Sequence, residues 1–263
     1  MTEIHRFTQG SVPVLVSMPH IGTALMPGLA DRLSDAALPL GDTDWHLPRL
    51  YDFLDELGCS RLEACHSRFV VDLNRPPDDA PLYAGATTGL IPDILFDGTP
   101  AYRPGAGPDA AERAQRLETY WRPYHAKLEA ELDRLVATHG GAVLLDAHSI
   151  RGIVPRLFEG RLPDFNIGTA DGKSCAPDLA RRVLDILGAA PGYTAILNGR
   201  FKGGHITRHY GDPSRGRHAV QLELVQATYM DETAPYAFRP DLAAGVRPHL
   251  RRFVEMLVAW AQG

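Results

Sequence analysis

Residues 144–152, LLDAHSIRG, change from apolar to chemically competent at a single position: Ala142 to Leu145 are apolar, and Asp146, His148 and Ser149 follow almost at once. A second histidine, His20, comes directly after another apolar run, VPVLVSM at 12–18, and Pro19. An imidazole at the end of each of two apolar runs, joined by one further ligand, would complete the three protein ligands of a catalytic zinc site, whose fourth position stays open for water. Candidates for that third ligand are Asp42, Asp44 and His46, all within GDTDWH. Asp146 stands two residues before His148, so in a strand both side chains leave the same face, and the carboxylate can orient the imidazole from behind. Each residue also has a plainer role open to it. The histidines suit turns, Asp42 or Thr43 suits a helix N-cap, and Asp146 suits a backbone amide.

Two further stretches hold polar groups where apolar ones would be expected. SRFVVDLNR at 67–75 contains Arg68, Asp72, Asn74 and Arg75. Arginine forks match carboxylates, so Asn74-Arg75 at a strand end suits an acidic small molecule; an ion pair between Asp72 and an arginine is the structural alternative. In HAVQLELVQ at 218–226, Val220, Leu222 and Leu224 alternate with Gln221 and Glu223, which therefore share a face. A carboxylate buried there would be costly to ionise and well suited to act as a general base. If that face is solvated, Glu223 is only the polar half of an alternating strand.

The elements that must position these groups can be read from periodicity and breakers. Strands are expected at 12–18, 61–65, 68–73, 142–146, 165–169, 193–198 and 218–226. Helices are expected at 44–57, closed by Gly58, at 109–138, closed by Gly140-Gly141, at 176–188 and at 240–261. Residues 76–108 are rich in Pro and Gly and read as a long functional loop, a candidate to close over a bound molecule. Strands alternating with helices predict one α/β domain over 1–263, its mixed sheet flanked by helices on both faces. In such sheets sites form beyond the carboxyl ends of the strands, which selects His20, Asn74-Arg75, His148 and the loop after 193–198.

The whole chain narrows the function classes. It has 263 residues, and its formal charge of -5 argues against nucleic acid as a partner. Three cysteines without a CxxC pair fit a reduced, cytoplasmic protein. The first ten residues carry no apolar signal core, and no apolar run is long enough to span a membrane. The sequence fixes no oligomeric state.

SMPHIGT (17–23), GDTDWHLPRLYDF (41–53), SRFVVDLNR, YWRPYH (120–125), LLDAHSIRG, LNGRFKGGHITRHYG (197–211) and HAVQLELVQATYMDE (218–232) together resemble the N-formylglutamate amidohydrolase family, in order along nearly the whole chain. The resemblance implies a phosphorylase/hydrolase-like core related to the zinc carboxypeptidases. It implies a zinc ion held by His20, His148 and an acid, with Glu223 as base and Asn74-Arg75 gripping a substrate carboxylate. The carboxypeptidase pattern puts the acid three residues after the first histidine, where this chain has Thr23, so Asp44 is assigned instead. The implied reaction is hydrolysis of N-formyl-L-glutamate to L-glutamate and formate, the last step of a histidine degradation route. Zinc would acidify a water, Glu223 would take its proton, and Arg68 would stabilise the oxyanion. Arg208 and Gln221 join Asn74 and Arg75 as candidate substrate contacts. The alternatives are a related zinc amidohydrolase for another N-acyl amino acid or short peptide, and a non-catalytic protein that binds acidic amino acids.

Overall fold

A computed structural model describes residues 3–82 and 87–263. Seven strands form one mixed sheet in the order β1-β3-β2-β4-β7-β5-β6. They are β1 (His5–Thr8), β2 (Val14–Met18), β3 (Ser60–Ala64), β4 (Ala142–Ile150), β5 (Phe165–Gly168), β6 (Ala195–Leu197) and β7 (Arg217–Val225). The centre, β3-β2-β4-β7, is parallel, while β1 and β5 join it antiparallel. The carboxyl ends of β2, β4 and β7 therefore lie side by side.

Both sheet faces are covered, as expected for a parallel centre. On one face Val16, Leu145 and Leu222 pack under α1 (Leu47–Leu50), α4 (Pro177–Gly188) and α6 (Pro240–Gln262), whose Val246, Leu250, Phe253 and Leu257 are fully buried. Each such side chain contributes roughly 1.5–3 kcal/mol of burial free energy. On the other face Leu15, Leu62, Leu144 and Ala219 meet α3 (Arg122–His139) through Tyr124, Leu128 and Leu132, and α5 (His205–Tyr210) through Ile206. A third apolar cluster lies off the sheet, where irregular stretches meet through Leu29, Leu33, Phe69, Leu95 and Tyr102.

The strands and helices at 165–169, 176–188, 193–198, 218–226 and 240–261 form close to their expected places. Four expectations change. The strand expected at 142–146 runs on to Ile150, so His148 lies within it, two residues from Asp146 on the same face. The helix expected at 44–57 is only the four residues of α1 and a 3₁₀ turn, Asp52–Leu54; His46, at φ 64, blocks any helix before it.

The strand expected at 68–73 does not form: residues 68–74 are buried but follow turns, outside every strand. Its hydrogen-bonding groups are met elsewhere, Asp72 N donating to Leu90 O at 2.7 Å and Val70 N to Ser67 O at 2.8 Å.

The helix expected at 109–138 is α2 (Ala110–Arg116), a π-helical turn (Leu117–Trp121) and then α3. Asp109 caps it, accepting from Glu112 N, and Gly140, at φ 82, ends it. The 76–108 segment carries no regular element among its described residues, and 83–86 lie outside the described residues. The three cysteines are free thiols. No described helix is long and apolar enough to cross a membrane.

Candidate active site

The site grows out of strand registry. In the parallel pair β4 and β7, Asp146 stands opposite Gln221 and His148 opposite Glu223. All four leave the face that carries Leu144 and Ala219 further back, so the strands turn polar where the cover of α3 gives way to a cleft. The cleft encloses about 600 Å³, its open mouth included, and is lined by His20, Asp44, Arg68, His148 and Glu223 among others.

His20 follows β2 and brings its ring to 4.9 Å from that of His148, centroid to centroid. Asp44 sits beside both because its backbone N–H donates to His20 O at 3.0 Å. Asp44 Oδ2 is 3.1 Å from His148 Nδ1 and 3.8 Å from His20 Nδ1. Each imidazole directs its other nitrogen to a separate carboxylate, His20 Nε2 to Asp72 at 2.7 Å and His148 Nε2 to Asp146 at 2.9 Å. A histidine that donates Nε2–H to a carboxylate presents a basic Nδ1 lone pair, the arrangement found behind metal-binding histidines. The Arg68 guanidinium, which can only donate, faces His20 Nδ1, in keeping with a lone pair on that atom.

His20, Asp44 and His148 offer three ligand atoms within 4.8 Å of one another. Ligands on one tetrahedral zinc stand roughly 3.4 Å apart, so a shift of about 1 Å closes the set. Two imidazoles and a carboxylate are the donor chemistry of a catalytic zinc site, and these three residues could hold a metal ion. The single lone pair of His20 Nδ1 serves either Arg68 or a cation, not both at once. The other residues considered as ligands lie elsewhere. His46 Nε2 donates to Tyr236 O, and Asp42 accepts from Phe96 N and Arg151. Thr23 is exposed.

The electrostatics favour positive charge at this point. Burial opposes protonation of His148, but Asp146 and Asp44 outweigh it and raise the imidazole well above its usual range. Burial likewise opposes ionisation of Asp72, yet His20, Arg75 and Arg68 hold its carboxyl well below the usual carboxylate range. Burial and the charge of Arg68 lower His20. Glu223, only 8% exposed, is pushed up to about 8, chiefly by burial, with His148 pulling down and Asp44 pushing up. It is therefore buried at the cleft and is not the solvated half of an alternating strand.

Asn74 lines the cleft with its side chain already engaged. Its Nδ2 lies 3.3 Å from Asp146 Oδ2 and 2.9 Å from His148 Nε2, so amide and imidazole both donate to the Asp146 carboxylate. Its Oδ1 accepts from Ile206 N at 2.8 Å. This fit needs Gly204, since a Cβ there would meet the Asn74 amide at 2.3–2.5 Å. Arg75 lines the cleft, bonded to Thr88 O and to the Thr87 and Thr88 hydroxyls. Gln221 lines it too and accepts from Gly204 N at 2.7 Å.

Arg208 is exposed on α5, donating to Gly203 O, and is not among the cleft-lining residues. Arg200, on the loop before α5, does line the cleft and was not singled out from sequence. Nor were Thr207, which donates to Asp146 at 3.0 Å, or Phe96, whose ring lies under the Arg68 guanidinium at 4.7 Å. None of the three carries a sequence signal of the partner that it meets in the fold.

A sequence model of the family described as N-formylglutamate amidohydrolase matches residues 12–230. The N-formylglutamate deformylase of Pseudomonas aeruginosa is 58% identical over 262 residues, covering 100% of this chain and 98% of that protein. That of Pseudomonas putida is 55% identical over 260 residues, covering 99% and 97%. The crystal structure of an N-formylglutamate amidohydrolase from Ralstonia eutropha JMP134 superposes with a TM-score of 0.85 at 25% identity, covering 98% of each chain. A gene product of Agrobacterium tumefaciens shares the fold, with a TM-score of 0.74 at 17% identity over 100% and 97% of the two chains. By the family match over residues 12–230 and the full-length relatives, the chain belongs to the N-formylglutamate amidohydrolase family.

Proposed function

We propose that this protein hydrolyses N-formyl-L-glutamate to L-glutamate and formate. The observation that carries the reading is the buried Glu223 beside His148, at matched positions of adjacent strands, in a cleft also lined by arginines. The names of the two Pseudomonas relatives support the same substrate. His20, Asp44 and His148 would hold a divalent cation, zinc by the chemistry of the donor set. When bound, it supplies Lewis acidity, acidifying water and drawing charge from the formyl oxygen.

The chain's own groups perform the proton work. Glu223 removes a proton from water as the water oxygen attacks the formyl carbon, then delivers a proton to the leaving amine as the C–N bond breaks. A carboxylate with its affinity for protons raised toward neutrality is suited to both steps. Arg68 stabilises the developing oxyanion; its Nε is buried with no partner among the described residues. Arg75 binds a substrate carboxylate, with Asn74 holding that turn in place. Gln221, whose Oε1 is engaged by Gly204, offers its amide N–H groups to substrate. Arg208 enters this reading only if its side chain turns toward the cleft. The relation to the zinc carboxypeptidases and a place in histidine degradation belong to the same reading, supported by the donor set and by the motifs quoted above; a cytoplasmic location rests on the three free cysteines.

The test is hydrolysis of N-formyl-, N-acetyl- and N-succinyl-L-glutamate by the purified protein, with formate and glutamate quantified. The N-formyl compound should lead in kcat/KM by roughly 10–200-fold over the N-acetyl one, the discrimination a single methyl group allows in a tight pocket. Equal or better turnover of the larger acyl groups would favour a general N-acyl amidohydrolase. No turnover of any would favour a binding protein.

A further inference from the structure

Residues 69–74 cross the interior outside every sheet, so their buried carbonyl oxygens need partners other than a neighbouring strand. One long helix supplies them through three side chains. The fully buried Arg116 donates to Phe69 O at 3.0 Å and to Val70 O at 3.2 Å. His125 Nε2 donates to Leu73 O at 2.9 Å. Trp121 Nε1 donates to Arg75 O at 3.0 Å. The remaining oxygen near the cleft, Asn74 O, accepts from His205 N at 3.3 Å.

The spacing of the three side chains explains the irregularity in the helix. In an α-helix, residues five apart stand about 140° apart around the axis, so Arg116 and Trp121 would face different ways. The π-helical turn Leu117–Trp121 closes through i→i+5 bonds and returns Trp121 to the face of Arg116. From Trp121 to His125 is one ordinary α-helical turn, which keeps them together. The two rings stack at 3.6 Å, so each fixes the other. Burial and the neighbouring His205 push His125 down to about 3, so it is neutral. With its one N–H given to Leu73 O, Nδ1 accepts from Tyr210 OH at 2.9 Å.

We infer that Trp121 and His125, aimed by the π turn, are positioning residues that set the place of Asn74 and Arg75 in the cleft. This rests on the reading of Arg75 as a group that binds a substrate carboxylate. Trp121→Phe isolates the effect, since it keeps an aromatic face on His125 and removes only the N–H. KM for N-formyl-L-glutamate should rise roughly five- to tenfold, the size of one lost hydrogen bond. kcat should stay within about twofold, because the groups that act on the formyl carbon are untouched. Metal per chain and thermal midpoint should match wild type. Deleting the exposed Thr119 turns the π turn into an α-helical one with Arg116 and Trp121 four apart, about 40° around the axis, so in any folded preparation KM should stay below that of Trp121→Phe. A Trp121→Phe protein with wild-type KM overturns the inference. So does one in which kcat falls as much as KM rises while the thermal midpoint drops, the mark of a merely structural role. A wild type inactive on N-formyl-L-glutamate is a different failure, visible without any variant, and removes both the functional reading and the inference.

Discussion

The two halves of the site are held by different means. Asp146, His148, Gln221 and Glu223 stand on β4 and β7, where backbone registry places them pairwise. His20, Asp44, Arg68, Asp72 and Asn74 stand on loops and are held by one another and by side chains reaching their backbone. Asp44 N donates to His20 O, Asn74 N donates to Asp72 Oδ1, and His125 donates to Leu73 O. A strand-borne group can thus change chemically without moving, whereas a loop-borne group takes part of the geometry with it.

Glu223→Gln exploits that difference most strongly. It keeps size and strand, so kcat should fall by ~10²–10⁴, the contribution of a general base. The fold should be unharmed, because a costly buried carboxylate is replaced by a neutral amide. Steady-state kinetics with a thermal melt reads both. A variant within about threefold of wild-type kcat would remove Glu223 from the role of base.

Asp72→Asn and Asp146→Asn sharpen the contrast between the halves. Each weakens the carboxylate behind one histidine, so metal affinity should drop ~10–100-fold in both. Asp72 also accepts from the loop backbone and sits among Arg68 and Arg75, so its replacement should lower the thermal midpoint further than that of Asp146. Competition with a chelating dye gives the affinities. Equal melting points for the two variants would mean that the loop half is as rigid as the strands.

How much of this was legible follows the same division. Glu223 could be found because a strand's period of two sets a polar residue apart from its apolar neighbours. The ends of the apolar runs at 12–18 and 142–145 marked His20 and His148. Asp44 needed the family motifs, since GDTDWH offers three plausible ligands and only the tertiary fold brings one of them to His20 O. The segment 68–73 looked like a strand because Phe69, Val70 and Val71 fit one. What makes it irregular is Arg116, Trp121 and His125, about fifty residues further on, and propensity carries no trace of such partners. For the same reason the bonds of the cleft-lining Asn74 amide to Asp146 and to Ile206 N left no mark in the sequence.

The smallest expected effect is on pH and stability. Glu223 ordinarily titrates near 4.5 and is raised to about 8 when folded. Between those values the folded chain holds a proton that the unfolded chain has released, so this group lowers stability as pH rises from 4.5 to 8, with no further loss above. In metal-stripped protein the melting point of Glu223→Gln minus that of wild type should therefore grow by a few degrees from pH 5 to pH 8. A difference that shrinks with pH would give Glu223 the wrong sign.

The most direct measurement is a metal titration of chelator-stripped protein followed by elemental analysis, for wild type and His148→Ala. Wild type should take up one zinc per chain and recover its hydrolytic activity with that first equivalent, whereas His148→Ala should retain none after buffer exchange. Full activity in stripped wild type, or stoichiometric zinc in His148→Ala, would contradict a cation held by His20, Asp44 and His148.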